Sequence, residues 1–216
     1  MSRVKENVEK ILRELPPQVQ LIVATKARSV SQIQQAHQAG ITKVGENYVR
    51  EAEAKYAVLG PQLEWHLIGH LQKNKVKKAV RLFDMIQTLD SLELAYLIDR
   101  ECEKIHKRMP VLIEVNIASE SQKKGVLPSS LEDLIQGVRS LKNIHLLGLM
   151  TMGPLREDVE QLRPYFQQLK KIFDEVKTKY TEHCNWSCLS MGMSTSFRIA
   201  IEEGATMVRI GSSIFE

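Results

Sequence analysis

Eight short runs rich in Val, Ile, Leu and Met recur along this chain, and all but the last are followed by a longer segment of helical period. That alternation limits the fold more than any other feature. The runs cover residues 20–26, 43–47, 64–69, 85–89, 111–117, 145–152, 187–191 and 207–210. Strands separated by helices are the β–α units of a parallel sheet, and eight of them predict a single-domain α/β fold, a (β/α)8 barrel over residues 1–216. An open doubly wound sheet shares the same periodicity and stays as the rival, although no G-x-G-x-x-G opens the first helix after a strand. Residues 1–15 place Val4, Val8, Ile11, Leu12 and Leu15 at helical spacing among charges, so an extra amphipathic helix precedes the barrel.

At 216 residues the chain can bury the core such a barrel needs, and it carries no internal repeat, linker or low-complexity tract. With 43% hydrophobic and 26% charged residues, global disorder is excluded. The charged N-terminal helix lacks the apolar centre of a signal peptide, and no run is long enough to span a membrane. Cys102, Cys184 and Cys188 do not form a secreted disulfide pattern, so the expected location is cytoplasmic.

In a barrel of this kind the chemistry lies at the C-terminal ends of the strands and in the loops that follow. Lys26 ends the first run, where partial burial would lower its pKa and free a neutral amine to attack an aldehyde. A strand-end lysine can equally snorkel to solvent. The loops after the seventh and eighth runs supply Ser190, Met191, Gly192, Met193, Ser194, Thr195 and Ser196, and then Gly211, Ser212 and Ser213. Such loops make phosphate cradles in many barrels, with backbone N–H groups facing the anion, though Ser194 or Ser196 could be a plain helix cap and Gly211 a plain turn. Arg209 sits two residues before Gly211 on the last strand, so it shares that strand's inward face; a guanidinium donates and never accepts.

The segments VATK at Lys26, GENYVRE from Gly45, WHLIGHLQKNK from Trp65, VNI with KKG up to Gly125, GLMTM from Gly148, and LSMGMS with AIEEGATMVRIGSSIF up to Phe215 resemble the pyridoxal 5′-phosphate (PLP) homeostasis proteins of the YggS/PROSC type. That family is similar in fold to the N-terminal barrel of alanine racemase. The resemblance implies PLP held as a Schiff base on Lys26, Arg209 facing the pyridine nitrogen, and Ser194, Gly211 and Ser212 on the phosphate. It further implies Asn47, His66, Met150 and Ser190 around the ring. Two departures stand out: Ser196 occupies a position where the family commonly has Asp, and the chain ends Ile-Phe-Glu where the family often has Ile-Phe-Gly.

The resemblance implies intracellular PLP and amino-acid homeostasis without robust catalysis, PLP-dependent apoenzymes as transient partners, and no nucleic-acid or membrane partner. A PLP-dependent amino-acid racemase is the alternative. Two-base racemisation needs a second acid or base opposite the lysine, and with the barrel consuming the sequence none is expected; Tyr48, at the start of a helix, should face outward. A monomer is the expected state. Lys73, Lys75, Lys77, Lys78 and Arg81 read as a solvated helix face, since no aromatics interleave to stack bases. His66 and His70 lack ligand spacing with Cys184 or Cys188. Residues 156–180 read as one long charged helix, and residues 118–129 as a mobile loop over the barrel mouth.

Overall fold

The computed structural model describes residues 2–154, 156–181 and 184–216. The strands are β1 (Gln20–Ala24), β2 (Lys43–Glu46), β3 (Glu64–Leu67), β4 (Met85–Leu89), β5 (Met109–Glu114), β6 (Ile144–Met150), β7 (Cys188–Ser190) and β8 (Met207–Ile210). Each pairs in parallel with its sequence neighbours, and β1 also pairs with β8 through Gln20↔Met207 to Val23↔Ile210. The barrel is therefore closed, and the open-sheet alternative is excluded.

Helices α1 (Arg3–Glu14), α2 (Val30–Gln38), α3 (Val49–Leu59), α4 (Val76–Leu82), α5 (Leu92–Glu103), α6 (Leu131–Arg139), α7 (Arg163–Lys179), α8 (Phe197–Glu202) and α9 (Ser212–Phe215) surround the strands. Ser29 caps α2 in a capping box with Gln32, and Ser91 caps α5. The extra helix α1 buries Val4, Val8 and Ile11, as its spacing predicts, while Leu12 stays exposed. Among the described residues, no helix is long and apolar enough to cross a membrane.

Two apolar layers form. One lies between strands and helices, and the other fills the barrel with Ile22, Ile68, Met85, Leu112, Met150, Cys188 and Met207. Strand side chains alternate with a period of two, so the residues two positions along from several of these, Gln87, Glu114, Ser190 and Arg209, share the inward face. The barrel interior is thus apolar in part and polar in part.

Six strands stop short of their apolar runs, four of them (β1, β3, β5 and β6) by two residues or more at the barrel mouth, where the site residues follow. β1 ends at Ala24, β5 at Glu114 and β6 at Met150, because the ladder ends where a neighbour turns away; Thr25 N–H makes the last bond from β1, to the Gly45 carbonyl at 2.9 Å. The helix expected over 156–180 begins only at Arg163, with Pro164 in its first turn and a 3₁₀ turn over Val159–Leu162 before it. Lys73 and Lys78 pair with Glu93 and Glu53, as a solvated helix face would. The segment 118–129 does lie at the mouth. It is stitched there by the Asn116 amide, which donates to the Glu120 carbonyl at 2.8 Å and accepts from Glu120 N–H at 3.2 Å.

Candidate functional site

A cavity of about 250 Å3 opens at the C-terminal end of the barrel, lined by Lys26, Asn47, Ser194, Arg209, Gly211 and Ser212 together with Ala24, Ile68, Met152, Met193 and Thr195. Six of the nine residues singled out from the sequence thus meet on one wall system. The other three lie beneath it: His66, Met150 and Ser190 are fully buried in the barrel and do not line the cavity.

Lys26 corrects one expectation. It is exposed, in the turn after β1, so the partial burial that was to activate its amine is absent. The turn itself is tightly fixed, and Ala27 adopts φ +58°, a strained region for a residue with a Cβ. A buried network below holds it. The Lys55 ammonium donates to the Thr25 carbonyl, Glu46 Oε1 and Glu51 Oε1, each at 2.6 Å. Thr25 Oγ1 also donates to Glu46 Oε1 at 2.6 Å, and Ala27 N–H donates to Glu51 Oε1 at 2.6 Å. Glu46 is fully buried, which pushes its carboxyl pKa up against the pull of Lys55 and Thr25. Sequence reasoning missed this network; the available signal was a glutamate inside the run KVGEN.

Arg209 is 3% exposed. Its Nη1 donates to Ser190 Oγ at 2.6 Å and its Nη2 to the Thr151 carbonyl at 2.8 Å, so the guanidinium is clamped with N–H groups to spare. Burial pushes its pKa down to about 10, with the nearby Glu114 charge opposing, and it stays cationic at neutral pH. From Ser190 the polar contacts continue inward. Ser190 Oγ donates to Gln87 Oε1 at 2.7 Å, Gln87 Nε2 donates to His66 Nδ1 at 2.8 Å, and His66 Nε2–H donates to Glu64 Oε1 at 2.7 Å. Glu64 also pairs with Lys43, both residues standing at the N-terminal starts of their strands. The His66 bond, more than Lys43, holds the Glu64 carboxyl down to about 2 against partial burial.

On the opposite wall, Gly211 N–H and Ser213 N–H both point at Ser194 Oγ, at 3.2 and 3.4 Å. A Cβ on Gly211 would sit 3.0 Å from the Ala24 carbonyl oxygen, so glycine lets β8 close against β1 beside this cradle. Gly69 does the same for Asn47, whose carbonyl oxygen would lie 2.4 Å from an added Cβ. Ser196 stands at the N-cap of α8 but makes no side-chain cap bond there; its Oγ accepts from Met193 N–H, upstream of the helix, at 3.1 Å. Tyr48 is 65% exposed. Among the described residues, no group of three or more His, Cys, Asp and Glu side chains is placed to hold a metal.

The donor set fits PLP: an amine for its aldehyde, a hydroxyl with backbone N–H groups and glycine for its phosphate, and a fixed guanidinium for its ring nitrogen. The family model described as alanine racemase, N-terminal domain, matches residues 1–216. A pyridoxal phosphate homeostasis protein of Aquifex aeolicus is 40% identical over 100% of this chain and 95% of its own length. Its human namesake is 35% identical over 99% of this chain and 82% of its own. The solved structure of PipY from Synechococcus elongatus described with PLP bound superposes with a TM-score of 0.92 at 33% identity, covering 99% of this chain and all of that one. Alanine racemase of Clostridium difficile superposes at 0.81 with 15% identity over 98% of this chain and 58% of that one, a likeness of fold alone. By the family model and by these near full-length relatives, the chain belongs to the alanine racemase N-terminal domain family and, within it, to the pyridoxal phosphate homeostasis proteins.

Proposed function

We propose that this protein holds PLP as a Schiff base on Lys26 and serves intracellular PLP and amino-acid homeostasis, without robust turnover of a substrate. The observation that carries the reading is the convergence of Lys26, Arg209 and the Ser194–Gly211 cradle on one cavity. The name of its relatives and the PLP described in a 33%-identical structure support it.

PLP supplies an aldehyde that condenses with an amine, losing water, and a pyridine ring that withdraws electrons best when its nitrogen is protonated. Lys26 provides the amine. Ser194 Oγ, on which the Gly211 and Ser213 N–H groups converge, would hold the phosphate together with the Ser212 hydroxyl. Arg209 offers only donors, so a ring nitrogen facing it stays unprotonated and the ring remains a weak electron sink. Beneath it, Ser190 fixes the guanidinium from the barrel interior. Residues 1–216 act as one domain, in the cytoplasm, as a monomer that meets PLP-dependent apoenzymes transiently.

The test is an absorbance spectrum of the purified protein before and after borohydride reduction, with the labelled peptide identified. A yellow protein whose reduced label maps to Lys26, and whose band is lost in Lys26→Ala, is expected. A protein that stays colourless after incubation with PLP, or a label on another lysine, refutes the reading.

A further inference from the structure

The starts of β5 and β6 lie at the N-terminal end of the barrel, away from the Lys26 cavity. The two strands pair from Met109↔Ile144 onward, and Met109 N–H donates to the Asn143 carbonyl at 2.8 Å. Adjacent strands run about 4.8 Å apart, so this register sets Arg108, the residue before β5, alongside Asn143 and next to Lys142 in the turn that leads into β6. Arg139, the last residue of α6, enters the same turn. All three cations line one cavity of about 370 Å3, with Ser140 and an apolar floor that includes Leu141 and Ile144; among the described residues no carboxylate lines it.

These charges are uncompensated. Among the described residues the Arg108 and Lys142 side chains have no ion-pair or hydrogen-bond partner, and both are exposed. Arg139 is half-buried, with its guanidinium 5.1 Å from the centre of the Tyr180 ring. The stack fixes its position, while its Nε is shut off from solvent and finds no acceptor among the described residues. Asp99, an acid that reaches this turn, is taken up by Asn143, whose N–H and side-chain amide donate to the carboxylate at 2.8 and 3.2 Å. Partial burial first, then the charge of Arg108, holds the neighbouring His145 imidazole below its usual range, as an unneutralised cation does. Cations at a helix C-terminus complement its dipole, which accounts for Arg139; Arg108 belongs to no helix.

A cation is repelled from such a site, and guanidinium forks match the oxygens of phosphate groups. A single phosphate carries about −1.5 to −2 near neutral pH, which leaves part of the charge of Arg108, Arg139 and Lys142 unmatched. We propose that this cavity binds the diphosphate group of a small anion, held by these three side chains. The assignment goes beyond the cofactor reading and does not depend on it.

Titration of the full chain at about 0.15 M ionic strength, where scattered surface charges are screened, tests it with inorganic phosphate, inorganic pyrophosphate and adenosine 5′-diphosphate. The 15N–1H shifts of residues 139–143 report this cavity, and those of Ser194, Gly211 and Ser213 report the cofactor cradle. Pyrophosphate is expected to move the first set and to bind there at least about tenfold more tightly than phosphate. Arg108→Gln and Lys142→Gln should each weaken it about tenfold, as loss of one charge-assisted hydrogen bond implies, and both should keep the PLP band. Adenosine diphosphate binding as tightly as pyrophosphate points to a nucleotide-type ligand, and weaker binding to the free diphosphate; either supports the assignment.

No shift in residues 139–143, shifts confined to the cradle, pyrophosphate no tighter than phosphate, or unchanged affinity in both variants with native circular dichroism each overturns the proposal. Both substituted side chains are exposed, and should one variant not fold, the other decides. A protein that stays colourless with PLP yet binds pyrophosphate at residues 139–143 refutes the cofactor reading and leaves this one standing.

Discussion

Replacing Lys55 with methionine tests whether the turn bearing Lys26 is held from below. Lys55 is 6% exposed and its ammonium satisfies three oxygens, one of them on the fully buried Glu46. Without it, Glu46 keeps a single donor, Thr25 Oγ1, while its Oε2 already has none. Leaving a buried charge without its partner costs about 3–5 kcal/mol. For a domain of this size that is a fall in Tm of about 6–20 °C. The companion variant Glu46→Met/Lys55→Met removes both charges and should recover most of the loss, giving a coupling of about 2 kcal/mol in a double-mutant cycle. The pH dependence has a definite sign. Burial already raises the Glu46 carboxyl in the folded state, and removing Lys55 raises it further. The folded variant then holds a proton that the unfolded chain releases, so its deficit shrinks as pH falls and is largest at alkaline pH. Urea denaturation at pH 5.5 and pH 8 reads both quantities, and the absorbance band reports PLP retention, which should drop with the loosened turn. A cost under about 1 kcal/mol, strict additivity in the cycle, or undiminished retention would falsify the argument.

Ser194→Ala removes the hydroxyl on which the Gly211 and Ser213 N–H groups converge and should speed PLP dissociation about tenfold, read by loss of the band on dilution; unchanged kinetics would remove Ser194 from the cradle. Glu114, raised from 4.5 to about 7, makes the folded protein lose about 3 kcal/mol as pH climbs through that window; Glu114→Gln should therefore gain stability relative to wild type at pH 8 over pH 5, and a pH-independent difference would contradict this. Gln87→Leu strips partners from both Ser190 Oγ and His66 Nδ1, an expected cost of about 2–4 kcal/mol in chemical denaturation, with the 15N shifts of the His66 ring moving as its tautomer is released. Alanine should be racemised no faster than by free PLP under matched conditions, whereas turnover of about 1–1000 per second would favour the racemase reading.

The strands were legible because each is buried on both faces and so reads as a continuous apolar run; β4 and β8 match their runs to the residue. Strand ends were not. Whether residue 25 or 26 still belongs to β1 depends on how far β2 and β8 run beside it, which is a property of neighbours distant in sequence. The same limit applied to the site. Period-two alternation places Arg209 on the inward face and the C-terminal loops beside it, and the structure brings these together with Lys26. The partners of Gln87 are fixed only by closure of the barrel, which joins it to Ser190 across 103 positions and to Met207 across 120. Glu114 and Glu46 carried a readable signal, a charge inside an apolar strand, though the signal did not say what each charge would face.

The line of contacts from Arg209 through Ser190, Gln87 and His66 to Glu64 has one further property. One end can only give hydrogens and the other, while ionised, can only take them. Every hydroxyl rotor, amide and imidazole between must then face the same way, as a row of coins laid heads up because both end coins are glued. Of the many proton arrangements three such groups could adopt, the barrel admits one. Turning over any single member of that line, the Gln87 amide included, requires unpinning an end.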